Sequence, residues 1–237
     1  MSGGADADVT RIAGLELIYA PVPWPYADAN RAAIDAYFAR LKAAKPALWN
    51  GRILLLHHYE IVGDLFRGMF LETDYASLRY WIGQAHPPAA IWDCFAAAAI
   101  RGSDGGWLTG VMGAHTANAG QAYFPCGTPD RDDISGDCVD FERSVARELA
   151  EETGFAVADF DAEPGWTLVR TGPHVVAVKV LHARATAAAL RERVLANLAR
   201  QRDPELADIR IVHGPADLDA AMPRFVHAFL IERWKQE

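Results

Sequence analysis

Short apolar runs of strand length alternate with stretches of helical periodicity along nearly the whole chain, which confines it to mixed α/β architectures. Residues 15–20 (LELIYA) read as the first strand. The PVPWPY stretch behind them loses ladder donors at its prolines and reads as a turn or extended connector. From Asn30 to Lys45, Ile34, Tyr37, Phe38 and Leu41 recur at helical spacing until Pro46 ends the pattern. RILLLHHYEIV (52–62) and FRGMFLE (66–72) read as strands around Gly63-Asp64, followed by a helix from Asp74 to Ile82. QAHPP at 84–88 then breaks the pattern and divides the chain into an N-terminal α/β subdomain, 1–88, and a domain of residues 89–237.

In the second part, IWDCFAAAAI (91–100) and WLTGVM (107–112) are expected to form a hairpin around the SDGG turn at 103–106. After the loop HTANAG comes a short strand, AYFP (122–125), leading into a Gly127-Thr128-Pro129 turn. Phe141, Val145 and Leu149 recur every four residues and Gly154 stands where a C-terminal cap belongs, so 141–153 is a helix. WTLVR (166–170) and VVAVKVL (175–181) form a hairpin around TGPH. A helix over 185–201, the strand IRIV (209–212) and a closing helix over 224–235 complete the pattern. The order implies a mixed sheet covered by helices on its faces.

Composition narrows the function. With 51% hydrophobic and 23% charged residues, 237 residues can build a packed core. The formal charge is −8 and no segment gathers Lys and Arg into a stripe, so a long nucleic acid is not an expected partner, whereas a small phosphate ester is compatible. Cys94, Cys126 and Cys138 are odd in number and lack CxxC spacing, which indicates neither a disulfide framework nor a zinc site. MSGGADADVT has no basic segment followed by an apolar one, and no apolar run approaches about 20 residues. A cytoplasmic protein with no membrane partner is the expectation.

The chemistry concentrates at Arg147-Glu148-Leu149-Ala150-Glu151-Glu152-Thr153-Gly154-Phe155. On a helix, Glu148 lies three residues from Glu151 and four from Glu152, with Cβ atoms about 5–6 Å apart. Without a counter-ion each like-charged pair destabilises the helix by roughly 0.2–0.5 kcal/mol, and the negative end of the helix dipole adds about 0.3–1 kcal/mol per anion. A hard divalent cation reverses the sign of these terms, and magnesium commonly bridges carboxylates to substrate phosphates.

RELAEETGF resembles the second half of the Nudix box, REUxEExGU with U an aliphatic or bulky apolar residue, if Phe155 is taken as the last U. The first half of that pattern departs: Asp133 and Val139 stand where Gly and Glu are expected, fourteen and eight residues before the Arg. FPCGTPD resembles the family's strand ending in a Pro-Gly-Gly turn, but Gly127 is twenty residues before Arg147, so the intervening loop is longer by six. Asp140, next to the expected glutamate, is either the missing acidic partner or a helix cap.

The resemblance implies a Nudix-type α/β/α sandwich with a mixed sheet, preceded by the small α/β subdomain. It implies a magnesium-dependent hydrolase, with manganese as the alternative ion. The substrate would be a nucleoside diphosphate linked to another moiety, and a metal-activated water would attack one phosphorus. Glu148, Glu151 and Glu152 would be the metal-binding and base-providing carboxylates, Arg147 would orient one of them, and the Gly127 carbonyl would be a further ligand. A distant acid would complete the site, Glu205 first and then Asp203, Asp208 and Asp217. KPALWNGRILLL (45–56) and FLETDYASLRYW (70–81) loosely resemble the N-terminal extension of Nudix enzymes that cleave nucleotide sugars, so a nucleotide sugar is the preferred substrate. The rival reading is a catalytically weak Nudix-fold module that senses a nucleotide. A homodimer contact through the N-terminal part is left open.

Other residues are read as structural beside these. His57 and His58 lack HExxH spacing and lie in a strand, while His115 and His174 are placed on loops. Trp24 and Tyr26, between prolines, are expected to anchor the connector to a core, with stacking on a nucleobase as the alternative. Cys126 and Cys138 have no partner at nucleophile spacing.

Overall fold

A computed structural model describes residues 7–236. The N-terminal MSGGAD, the first part of the segment expected to lack a leader, lies outside the described residues. Among the described residues no helix is long and apolar enough to cross a membrane.

The first half contains β1 (Asp8–Ile12), β2 (Gly14–Tyr19), α1 (Pro25–Ala29), α2 (Arg31–Ala44), β3 (Arg52–Val62), β4 (Leu65–Asp74) and α3 (Tyr75–Gly83). β3 and β4 are antiparallel around Gly63, whose φ of 64° suits the hairpin turn, and β2 pairs parallel with β4. α2 and α3 pack on one another and on this sheet, burying Ile34, Phe38, Leu55, Leu71, Leu78 and Trp81. The connector differs from expectation at its end. Pro25, with its φ already helical, opens the short α1. Trp24 is buried, with Nε1 donating to the Ala89 carbonyl (3.3 Å) and its ring edge-on to Trp81. It packs as an anchor, and Tyr26 tilts against it.

The second half contains β5 (Asp93–Arg101), β6 (Trp107–Met112), β7 (Ala122–Tyr123), β8 (Cys126–Gly127), β9 (Ile134–Ser135), β10 (Cys138–Val139), α4 (Phe141–Thr153), β11 (Asp161–Ala162), β12 (Trp166–Thr171), β13 (His174–His182), α5 (Ala187–Leu198), β14 (Leu206–Val212) and α6 (Arg224–Lys235). The large sheet runs β1-β12-β13-β5-β6-β14, with β7, β8 and β11 as short additions. Neighbouring positions around β6 point to opposite faces. A Cβ on Gly106 would meet Ala187 of α5, whereas Trp107 stacks edge-on against Phe229 of α6. α4 packs on α5, so helices cover both faces and the mixed α/β/α architecture expected from the sequence is present.

Three local expectations are corrected. β5 and β6 pair only at Arg101 and Trp107, because β5 gives one edge to nine residues of β13, in parallel, and the other to β8. The segment after Phe124 does not turn at Gly127. Cys126 and Gly127 pair with Ala97 and Ala96, and the chain runs on to give the Pro129 carbonyl to the Leu54 amide (2.7 Å). The helix expected over 185–201 is α5, shortened at both ends, with Thr186 as its N-cap.

Strands cross between the two halves in both directions. β1 joins the large sheet beside β12, while the extra residues ahead of α4 form the β9–β10 hairpin, which joins the smaller sheet in the order β3-β4-β2-β10-β9. Leu17, Leu54, Leu56, Phe66 and Phe70 share one core with Phe141, Val145 and Leu149. Two carboxylates pin these crossings. Bonds from Arg131, in the loop before β9, and from Arg52 and Tyr19 hold Glu72 of β4 at a pKa of about 2 against its burial. Burial would raise Glu163, but Arg233, Arg11 and His182 outweigh it and hold that carboxyl at about 2, joining α6, β1 and β13.

Candidate active site

α4 is bounded as its sequence dictates. Asp140 is the cap, accepting from the Arg143 amide (3.0 Å), and Gly154 ends the helix at φ 75°. Phe141, Val145 and Leu149 press into the core, and a helix advances about 100° per residue, so Glu148 and Glu152 fall beside that stripe. They are 8% and 4% exposed. Glu151, a further turn of the angle away, has a side chain 62% exposed and 3.6 Å from Arg147 Nη1. Two glutamates therefore face the interior and the third faces solvent.

Arg147 is forked between two acids. Nη1 donates to Glu148 Oε1 (2.7 Å) and Nη2 to Asp133 Oδ2 (3.0 Å). Asp133 is fully buried; its Oδ2 also accepts from the Asp130 amide, and its carbonyl takes the Asp140 amide. Sequence reading counted Asp133 only as a departure from the box. The available signal was an acid at a fixed distance before Arg147 within the D-x-x-D turn Asp130–Asp133, which closes as a capping box.

Gly127 lies directly over Glu148. A Cβ there would come within 2.2 Å of Glu148 Oε1 and 2.7 Å of its carboxyl carbon. Only a glycine lets β8 approach the carboxylate this closely. The backbone of Cys126, the next residue along the strand, lowers the pKa of Glu152 from close by, and Glu152 Oε2 is buried with no partner. Gly127→Ala is expected to push Glu148 aside and lower activity about 100-fold, as ångström-scale misplacement of catalytic groups does. Melting curves beside steady-state rates check that the loss exceeds any change in folded fraction.

Burial is the first cause of the unusual acidities here. It raises Glu148 to about 7, with Arg147 opposing and Glu151, Glu205 and Asp133 reinforcing. Burial, Glu148 and Glu205 push Glu152 well above the carboxylate range. Glu205 sits just before β14, tied by its carbonyl to the Gly113 amide (2.7 Å), and its charge also reaches Tyr75 and Tyr123. The other three distant acids are engaged elsewhere: Asp203 near Arg202, Asp208 with Arg191, and Asp217 with the amides of His213 and Gly214. Cys126 has its thiol pushed up by burial and by both glutamates, which makes it a poor nucleophile.

Among the histidines, His57 sits at a register shift in β3, and His115 lies against Gly113 beside the Glu205 carbonyl. His174 begins β13 and approaches Asp93. Among the described residues no three His, Cys, Asp or Glu side chains are gathered tightly enough to coordinate an ion as they stand. The donor set still fits a hard divalent cation: two inward carboxylates, an orphaned buried oxygen on Glu152, and Arg147 already committed to Glu148 and Asp133.

No protein-family model matches the chain, and no curated protein does. Solved structures do. A Nudix hydrolase from M. smegmatis, RenU, is 14% identical at a TM-score of 0.39, over 60% of this chain and 82% of that one. The likeness is to Nudix proteins, and it is loose. The MutT protein from Methanosarcina mazei Go1 is 19% identical at 0.36, over 61% and 94% of the two chains. DR0079 from Deinococcus radiodurans is 15% identical at 0.42, over 68% and 82%. The Nudix reading of the site therefore stands on RELAEETGF and the contacts of α4 rather than on these superpositions.

Proposed function

We propose that the protein hydrolyses the phosphoanhydride bond of a nucleoside diphosphate linked to a second group, at the site formed by Glu148 and Glu152. The observation that carries this reading is Glu152: a carboxyl group buried with one oxygen unpartnered, beside the second buried carboxyl of Glu148. Structural glutamates are seldom buried unpaired, whereas groups with strongly shifted acidity mark functional sites.

Glu148 and Glu152 would hold magnesium or manganese, with Glu151, Glu205 and the Gly127 carbonyl as the further candidates. A divalent ion there supplies neutralisation of the diphosphate's charge and Lewis-acid polarisation of its oxygens. The chain's own residues do the rest. Arg147 fixes the rotamer of Glu148, and Asp133 fixes Arg147 from behind. Burial holds the Glu152 carboxyl above the ordinary carboxylate range, and once ionised its unpartnered Oε2 would be placed to accept a proton from the attacking water. Leu149 and Val145 anchor the helix so that these distances are kept.

Purified full-length protein, assayed with magnesium and with chelator against nucleotide sugars, dinucleotides, ADP-ribose and nucleoside triphosphates, tests the proposal. Cation-dependent cleavage of a diphosphate into two phosphate-bearing products is expected. Nucleotide binding with no product from any substrate would instead identify a sensing module.

A further inference from the structure

β2, β3 and β4 turn one face to the shared core, and α2 and α3 cover only half of the other. On that outer face the register partners Leu55 and Leu71 lie beneath the helices, and the cover stops there. In the next row His58, Met69, Ile18 and Cys138 follow one another across β3, β4, β2 and β10, all exposed. Beyond it Glu60, Arg67 and Glu16 stand side by side, with Arg67 Nε 2.7 Å from Glu16 and Nη1 3.6 Å from Glu60. Val62 follows one row further on. A sheet face left to water is ordinarily polar. Yet of the six large hydrophobics exposed among the described residues, Ile18, Val62 and Met69 share this face, and such a concentration marks an interaction surface.

The pattern is complementary to itself. β2 and β4 run parallel, and Ile18 is the register partner of Met69 as Glu16 is of Arg67. A two-fold axis lying above the sheet, nearly along these strands and midway between them, lays β4 of one copy over β2 of the other. Met69 then meets the second copy's Ile18, Arg67 meets its Glu16, and each contact is made twice. Aligned sheets pack about 10 Å apart, within reach of these side chains. A shallow depression of about 210 Å³ between the two rows leaves room for the opposing side chains. The charged row holds two carboxylates for one guanidinium, so its negative balance disfavours a nucleic acid or an anionic lipid surface as the occupant.

We propose that the protein forms a two-fold symmetric dimer through this outer face of β2, β3, β4 and β10. Four strands about 4.8 Å apart and three rows about 7 Å apart make a platform on the order of 400 Å², half of the roughly 800 Å² that a standard interface buries on each side. The dimer is therefore weak and exchanges with monomer at about micromolar concentrations.

Sedimentation velocity of the full-length protein from about 5 to about 500 µM tests this, with each variant shown folded by its melting curve. Wild type is expected to pass from monomer to dimer in that range, and Met69→Glu to raise the dissociation constant about 100-fold or more by burying an unpaired charge twice. Arg67→Glu and Glu16→Arg should each weaken the dimer about tenfold or more on their own. Mixed in equal amounts they should associate again, because each reversed charge then faces its opposite in the other copy. Wild type that stays monomeric throughout overturns the proposal. So does a dimer that Met69→Glu leaves unchanged, or a mixture that associates no more tightly than either charge variant alone. All of these are readings of mass, so they stand or fall apart from the hydrolase reading.

Discussion

Glu152→Gln is expected to lower hydrolysis by about 10²- to 10⁴-fold, the range for loss of a positioned proton-transfer group. It is also expected to make the cation-free protein less sensitive to alkali. In the unfolded chain these carboxyls ionise near 4.5, while in the folded protein Glu148 is raised to about 7 and Glu152 is pushed up as well, both because burial penalises the anion. Between those values the folded state binds more protons than the unfolded one, so stability falls as pH rises from about 4.5 through 7 and beyond. For Glu148 alone, moving from 4.5 to about 7 corresponds to about 3 kcal/mol, or roughly 6–12 °C in Tm for a chain of this size.

Melting curves from pH 5 to 9 in chelator should show wild type losing stability across that window and magnesium restoring it. Glu152→Gln should lose less and regain less. Full turnover in Glu152→Gln would sink the assignment of the site, and a flat wild-type profile would sink the electrostatic account.

Arg147→Ala should be the most damaging single change to the fold near the site. Asp133 is wholly inside the protein, and the guanidinium forked to it, with the Asp130 amide, opposes the cost of burying its carboxylate; removing one partner of a buried pair costs about 3–5 kcal/mol. Arg147 is itself about a quarter exposed (26%), so the lower end, about 3 kcal/mol, is expected. Denaturant unfolding of Arg147→Ala, Asp133→Asn and the double variant separates the causes. Asp133→Asn should recover part of the loss in the Arg147→Ala background, because the orphaned charge is gone. A double variant as unstable as the sum of the singles would mean the two side chains act independently.

Much of this site was legible locally. The spacing of Phe141, Val145 and Leu149, the Asp140 cap and Gly154 place α4 to the residue, and the run from Arg147 to Phe155 points to its chemistry. Asp133 was not legible as a partner of Arg147. Its role depends on a tight turn and a two-residue hairpin folding the loop back over the helix, and no periodicity encodes that contact. β1 escaped notice for a related reason: DVTRI alternates poorly, and it becomes a strand because β12 offers an edge and Glu163 takes Arg11.

The sequence by itself determined the elements whose signal is carried within about a dozen residues: the amphipathic helices, the apolar strands, and the line of glutamates along one helix. Only the tertiary structure decided which of those glutamates turn inward, that Gly127 must be bare to let β8 close over Glu148, and that two sheets exchange strands through one core. The division is physical. Propensity and capping act between neighbours along the chain, whereas burial, acidity and close backbone approach depend on what distant segments bring to the same place.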